Sequence, residues 1–343
     1  MPKKMRVGMI GCGMIAQILH VPDYAFVPEA EIAALCDIVP QKAHALAKKW
    51  APDAAVYKDY KKMLREAHLD AVTVALPNNL HCQVTVDALK AGCHVNVEKP
   101  MAASSAEAQR MVDAAKKAGK LLNVNQCQRL YPAIIKAKEV ITSGLMGRIL
   151  HVTAMFGHRG PEHWSPTGKW FFKKKQARFG AMADLGVHVA DKVRYLTGKE
   201  VAEIGAFAER LEKKHSDVED NFVSCLKFDD GTVGTLSSSW TVKGYQASYI
   251  VMHCENGTLR IQDDLNKPLV GFMVKPHCKI VFDPPPPIVY YPGSWGVDAS
   301  GAFVRAAMGL IPPYCPGDEG KKSLEIILAA EKAAKTGRAI KLG

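Results

Sequence analysis

Over the first third of the chain, short apolar and β-branched runs alternate with stretches of helical period. The runs are Val7–Ile10, Ile32–Cys36, Ala71–Leu76, His94–Val97 and Leu121–Val124. Pro40–Trp50, Leu80–Ala91 and Ser105–Ala118 carry their apolar positions at helical spacing. Gly92 and Gly119 stand just past the last two, where a chain leaving a helix needs left-handed backbone. Strand and helix in alternation predict a parallel, doubly wound sheet. Pro132–Thr142 reads as a linking helix closed at Gly144.

The pattern then changes. Asp229-Asp230-Gly231 and Glu255-Asn256-Gly257 separate the strand-like runs Asn221–Phe228, Val233–Trp240, Ser248–His253 and Thr258–Ile261, and such tripeptides are hairpin signals. Antiparallel strands packed on helices predict an α+β domain. Pro284–Pro287 is unsuited to a sheet interior and marks a loop or edge. Helices return at Asp298–Met308 and Glu319–Lys335. The division expected is a first domain over 1–125 and a second over 126–343, with helix 319–335 packing back on the first.

The first strand runs directly into Gly11-Cys12-Gly13-Met14-Ile15-Ala16 and a helix, which is the context a dinucleotide-binding fingerprint requires. Gly11 allows the tight turn, Gly13 lets backbone N–H groups approach a pyrophosphate, and Ala16 lets the helix pack closely on the strand. The helix beginning at Met14 and Ile15 offers its positive end to the phosphates. Asp37 ends the second strand at about the ~20-residue offset where a carboxylate accepts from ribose hydroxyls. Its charge repels a 2′-phosphate, so NAD is expected ahead of NADP, with Lys42 as a nearby base that works the other way.

Composition adds limits. The 343 residues suffice for two domains, and 48% hydrophobic with 23% charged residues excludes disordered and fibrous classes. The formal charge of +11 comes from basic residues spread along the chain, with local clusters at Lys173–Lys175 and Lys213-Lys214. A solvated basic surface explains it better than a nucleic-acid or membrane partner. Nine cysteines, with no C-x-x-C and no Cys/His pairing at metal-ligand spacing, read as buried small hydrophobes in a reducing compartment, and no metal site is expected. Lys3-Lys4-Met5-Arg6 before an apolar stretch imitates a signal peptide, but strand, glycine turn and helix already account for that stretch. No apolar run reaches the ~18 residues of a membrane span, and a cytoplasmic location is expected.

In an open α/β sheet, ligands lie outside the carboxyl ends of the strands. Three loops qualify: Pro77-Asn78-Asn79-Leu80-His81, Glu98-Lys99-Pro100 and Asn125-Gln126-Cys127-Gln128-Arg129. Lys99 is a cation held between a strand end and a proline that restricts its backbone to extended geometry. Prolyl bonds carry most cis peptides, which makes Lys99-Pro100 a candidate for one. The bland reading of Glu98-Lys99 is a surface pair, and spacing alone does not separate the two. Further on, Asp184, His188 and Asp191 fall at i, i+4 and i+7 on one helical face, so a carboxylate is placed to orient an imidazole. Taken alone, an ordinary amphipathic helix with a satisfied histidine explains that spacing more simply. A histidine of ordinary pKa is a natural acceptor of an alcohol proton. Gly186 costs such a helix ~1 kcal/mol relative to alanine, which points to a close approach of its backbone.

Taken in order, Gly11-x-Gly13-x-x-Ala16, Glu98-Lys99-Pro100, Arg129-x-x-Pro132 and Asp184-x-Gly186-x-His188-x-x-Asp191 resemble the glucose-fructose oxidoreductase/inositol dehydrogenase (Gfo/Idh/MocA) family. Asp220-Asn221, Gly257-Thr258-Leu259 and Gly317-Asp318-Glu319-Gly320 extend the resemblance over nearly the full chain. It implies a Rossmann domain followed by an α+β domain whose large, mainly antiparallel open sheet forms oligomer contacts, so a homodimer or homotetramer. It implies an active site in the cleft between the two domains, with Lys99 hydrogen-bonding the reacting oxygen, His188 as general base and Asp184 beside it. It implies NAD held by Gly11, Gly13, Met14, Ile15, Ala16 and Asp37, with Pro77, Asn78, His81 and Glu98 nearer the nicotinamide.

Many relatives have a glycine-rich run before the Asp184 helix, whereas this chain has Arg178-Phe179-Gly180, so its substrate choice is expected to differ. Just upstream, Trp164, Trp170, Phe171 and Phe172 interleave with Arg159, Lys169 and Lys173–Lys175. A loop that lays aromatic faces on a sugar ring fits better than a nucleic-acid surface, since no nucleic-acid-binding module is present. Substrate contacts are therefore expected from Lys99, Arg129, Trp164, Trp170, Arg178, Asp184 and His188. The expected activity is hydride transfer between a nicotinamide and a ring carbinol of a small carbohydrate, glycoside or inositol. The competing expectations are NAD-dependent glycoside cleavage through a transient ketone, and a non-catalytic NAD- and sugar-sensing regulator on the same fold.

Overall fold

A computed structural model describes residues 4–262, 266–288, 291 and 294–343; Lys3 of the basic N-terminal cluster lies outside them. The chain separates into two compact units. One comprises 1–127 and 288–321, the other 128–287 and 322–343.

The first unit is built on six parallel strands: β1 (Met5–Ile10), β2 (Ala30–Cys36), β3 (Ala55–Tyr57), β4 (Ala71–Val74), β5 (His94–Val97) and β6 (Leu122–Val124). Their order is β3-β2-β1-β4-β5-β6. The order reverses beside β1, which opens a crevice at the carboxyl ends of β1 and β4. β3 and the helix Tyr60–Glu66 escape the sequence reading because they are short; β3 has no buried position and the helix buries only Met63. The helices Pro40–Trp50 and Ser105–Ala118 keep their predicted bounds, and the predicted Leu80–Ala91 helix runs Asn78–Lys90. Ser104 starts its helix by accepting from Glu107 N at 3.2 Å, while Glu107 reaches back to accept from Ala103 N at 2.9 Å. A cap of this kind is worth about 1 kcal/mol and sets where the chain turns after the Lys99 loop.

The expected boundary at 125/126 needs one revision, because 288–321 groups with the first unit. Phe303 and Val304, on the helix Ala299–Ala307, are completely buried against Met5, Val7 and Tyr24, so leaving the helix out would expose that patch of core. The long helix Gly317–Thr336 starts in this unit, where Gly317 and Gly320 lie against Leu122 and Val124 with no room for a side chain.

The second unit carries nine strands: β7 (Ile149–Gly157), β8 (Val201–Glu209), β9 (Asn221–Phe228), β10 (Val233–Ser239), β11 (Ala247–Cys254), β12 (Gly257–Ile261), β13 (Leu269–Met273), β14 (Cys278–Val281) and β15 (Ile340–Lys341). Their order is β14-β13-β12-β11-β7-β10-β9-β8-β15. All pairings are antiparallel except β7 with β10. Both predicted hairpins are present, β9–β10 and β11–β12. Along β9 the alternation of buried and exposed positions is strict: Phe222, Ser224 and Leu226 face the core, while Val223, Cys225 and Lys227 face outward. Cys225 and Cys278 are therefore exposed and depart from the expectation of buried cysteines; the other seven are buried, and all nine are free thiols. The inner face packs on the helices Pro132–Thr142 and Val187–Thr197 and on Ile326, Ile327 and Ala330 of the long helix.

Candidate active site

In the first unit, Gly11 has φ +94°, and a Cβ there would run into the carbonyl of Ala75. An added Cβ at Gly13 meets nothing within 4 Å, so that side of the loop is open for a ligand to approach. Ala16 is fully buried on the strand side. The helix that follows is π-helical from Ala16 to His20, wider than the regular helix expected, and such turns recur at functional positions. Asp37 is tied to this loop: its Oδ2 accepts from Cys12 N and its Oδ1 from Val39 N, both at 2.8 Å. The glycine turn, the open face at Gly13 and the carboxylate fixed beside them fit a dinucleotide.

At the far strand ends, Glu98 is buried. Its Oε1 lies 2.7 Å from His20 Nε2 and accepts from Asn125 Nδ2 at 2.7 Å, while its Oε2 accepts from Lys99 N at 3.2 Å. Burial alone would raise the Glu98 carboxyl, but the His20 bond and charge, the Lys99 charge and the Asn125 bond outweigh it and hold it below the usual carboxylate range. Tyr314 extends the network by donating to Asn125 Oδ1 at 2.8 Å. The Lys99-Pro100 peptide is cis. Pro77 precedes the first turn of the helix that begins at Asn78, and Asn78 is buried.

His81 departs from its expected role. It is fully buried, with Nδ1 2.8 Å from Pro100 O and Nε2 2.8 Å from Leu76 O. Both ring nitrogens thus face backbone carbonyls rather than a ligand, and the ring staples the two strand-end loops together. Burial pulls its pKa below the ordinary histidine value, against the two carbonyl contacts and the Glu98 charge.

In the second unit, Asp184 lies in a π-helical segment, Met182–Gly186, that continues as the α-helix Val187–Thr197 bearing His188. Both side chains are nearly buried, each residue 6% exposed. Trp240 Nε1 donates to Asp184 Oδ2 at 3.0 Å, and His158 Nε2 lies 3.7 Å from the same oxygen. Gly160 N donates to His158 Nδ1 at 2.9 Å, so Nδ1 is an acceptor and the proton of the neutral ring sits on Nε2, toward the carboxylate. The Phe156 ring is 6.1 Å from both His158 and His188, between centroids, and Lys192 Nζ stands 5.5 Å above it. Sequence reading missed Trp240 and His158 as site residues, because each follows a strand end and only the fold carries it to Asp184. The close approach expected at Gly186 is present: an added Cβ would lie 3.2 Å from Ser238 Oγ.

Asp191 and Arg129 do not join this group. Arg129 Nε and NH2 donate to Asp191 Oδ2 and Oδ1, both at 2.8 Å, in a buried bidentate pair, and Ser323 Oγ donates to Asp191 Oδ1 at 2.9 Å. The geometry engages Arg129 in holding the helix that bears His188. Arg178 has φ +73°, pairs with Glu331 at 3.1 Å and lies over the Phe179 ring. Trp170 stacks on Phe171 at 3.9 Å and Trp164 meets it edge-on at 5.4 Å, so both indoles are partly spent on the core. No cluster of three or more potential metal ligands occurs among the described residues.

A glycine turn on a 3-2-1-4-5-6 parallel sheet, joined in sequence to a helix presenting a buried carboxylate and imidazole, defines a nucleotide-dependent oxidoreductase. Two family models match: the oxidoreductase family with NAD-binding Rossmann fold over residues 5–126, and the GFO/IDH/MocA C-terminal domain over residues 134–260. The chain belongs to the Gfo/Idh/MocA family. It is 31% identical over 254 residues to the D-glucoside 3-dehydrogenase of Escherichia coli K12, covering 69% of this chain and 71% of that one. It is 27% identical over 358 residues to the myo-inositol 2-dehydrogenase of Thermotoga maritima, covering 98% of each. Among solved structures it resembles the WlbA dehydrogenase of Bordetella pertussis in complex with NADH and UDP-GlcNAcA, with TM-score 0.85, 25% identity and 99% of both chains covered.

Proposed function

We propose that this oxidoreductase uses NAD to oxidise a ring carbinol of a sugar, glycoside or inositol, or to reduce the corresponding ketone. The observation that carries the reading is the Asp184–His188 helix. It holds a carboxylate and an imidazole in a nearly dry setting, with Trp240 and His158 fixing the carboxylate. His188 takes the hydroxyl proton as general base, and Asp184 keeps the imidazolium that forms from being an isolated buried charge. Lys99 lends its ammonium to the oxygen as negative charge develops there. The nicotinamide, when bound, supplies the hydride acceptor. Gly11, Gly13, Met14, Ile15 and Ala16 hold the pyrophosphate, Asp37 the adenosine ribose, and Pro77, Asn78 and Glu98 line the nicotinamide end. Asp37 favours NAD over NADP because a 2′-phosphate would meet a carboxylate already anchored to the loop.

Support for the substrate class comes from the relatives, which are named for sugar and inositol dehydrogenation. The outer face of the nine-stranded sheet exposes Phe207, Val223 and Phe272, an apolar surface that a homodimer or homotetramer would cover. Nine free thiols suit a cytoplasmic location, and no helix among the described residues is long and apolar enough to cross a membrane.

The test is NADH formation against a panel of pyranoses, inositols, and O- and C-glycosides, with Lys99→Met beside the wild type. The expected result is turnover on at least one member, lowered by orders of magnitude in the variant with NADH binding kept. Unchanged turnover in the variant would remove Lys99 from the mechanism. NADH binding without turnover across the panel would favour a sensing role.

A further inference from the structure

Three consecutive backbone N–H groups at the start of the Asp184 helix are all accepted by one residue, Glu219. Its Oε1 accepts from Gly180 N at 2.8 Å and from Met182 N at 2.9 Å, and its main-chain oxygen accepts from Ala181 N at 3.1 Å. The first amides of a helix have no partner within it, and an anion there also meets the positive end of the helix dipole. Gly180 is obligatory in this arrangement, because a Cβ on it would run into the Glu219 carbonyl. Gly180 O in turn accepts from Asp184 N at 3.0 Å, so a single step of backbone separates the Glu219 grip from the carboxylate of the site. This explains the departure at Arg178-Phe179-Gly180: the chain turns through Arg178 at positive φ and is then seized by Glu219.

The geometry points to Glu219 as a positioning residue for Asp184 and His188, one whose hold on residues 180–182 changes with its own protonation. A carboxylate accepts these N–H groups through charge-assisted bonds, roughly twice as strong as those made by a neutral acid. Burial pushes the Glu219 carboxyl up to about 7, against the bonds from Met182 and Gly180 that lower it and with a further rise from the Glu331 carboxylate. Glu331 is the charged group facing it from the long helix. It is itself paired with Arg178 and Lys335, so its charge is partly offset. Between about pH 6 and pH 8 the helix start therefore passes from a neutral to an ionised cap.

The functional half of this inference rests on the His188 reading, whereas the cap itself does not, and the experiment separates them. Residue-resolved amide exchange of the full-length protein, expressed as protection factors from pH 5.5 to 8.5, should show Gly180, Ala181 and Met182 gaining roughly 10-fold in protection across neutrality. In Glu219→Gln, whose amide oxygen still accepts but does not titrate, that gain should vanish while the fold is kept. In Glu219→Ala, kcat on any substrate found should fall about 10- to 100-fold with the Kd for NADH held, as expected when a reacting group is misplaced. Persistence of the neutral-pH gain in Glu219→Gln would overturn the titrating cap. A Glu219→Ala variant within twofold of wild-type kcat would overturn the positioning role. If no substrate turns over, the exchange profile alone decides the cap, and it is the dehydrogenase reading that fails.

Discussion

Arg129 grips Asp191 through two parallel hydrogen bonds of 2.8 Å, and both side chains are almost completely buried. Asp191 lies one turn beyond His188 on the same helix, so this pair ties that helix to the short helical turn that bears Arg129. Removing one partner strands the other as a buried charge. Arg129→Met is expected to lower stability by about 3–5 kcal/mol, read as a shift of the urea midpoint, and the double variant Arg129→Met/Asp191→Leu should recover most of the loss. A single variant as stable as wild type would show that the pair is not confined as its burial requires.

Acid sensitivity has an identified contributor. Glu200 accepts from Arg194 at 2.7 and 2.8 Å and from Lys322 at 2.9 Å, and the Arg194 bond, against burial, lowers its carboxyl to about 2. Its folded pKa lies below its unfolded value, so its stabilisation is complete above about pH 4.5 and is lost as pH falls toward 2. Glu200→Gln should flatten that stretch of the stability–pH curve. An identical slope in variant and wild type would assign the acid sensitivity elsewhere.

Cofactor choice is expected to turn on Asp37. Asp37→Ser keeps an oxygen for Cys12 N but removes the charge that opposes a 2′-phosphate. The ratio of kcat/KM for NADP to that for NAD should rise by at least ~10-fold. A ratio left where it was would count against the ribose contact.

His81 is expected to matter without touching a ligand. His81→Leu leaves the backbone carbonyl that the ring N–H serves, Leu76 O or Pro100 O, without its buried donor and unties the two loops, a cost of about 1–3 kcal/mol. Because Pro100 follows Lys99 directly, kcat should fall more than NADH affinity. Loss of NADH binding with kcat preserved at saturation would instead restore His81 as a cofactor residue.

Much of the molecule was legible from local pattern. The five strand runs of the first sheet, the glycine turn and Asp37 are each set by short-range chemistry: β-branched runs prefer strands, and only glycine takes the φ that Gly11 adopts without strain. Two hairpins of the second sheet, β9–β10 and β11–β12, announced themselves through Asp-Gly and Asn-Gly turns. β3, β14 and β15 left no signal of their own, because short edge strands owe their existence to the neighbours they pair with rather than to their own residues; β7, β8 and β13 escaped the sequence pattern as well, although they lie inside the sheet. The helical face Asp184–His188–Asp191 was legible as a spacing, but its division of labour was not. A π-helical turn and the buried Arg129 send Asp191 to one partner and Asp184 to another.

By itself, then, the order of residues determined the two sheets' types, the dinucleotide loop and the candidates for proton transfer, since each depends on neighbours within a few positions. Only the tertiary structure decided that 288–321 belongs with the first unit, that His81 and Arg129 are staples, and that Trp240, His158 and Glu219 serve the Asp184 helix. Those assignments join residues far apart in the sequence, 56 positions for Trp240 and Asp184 and 62 for Arg129 and Asp191, and a buried polar group declares its partner only once the chain has closed around it.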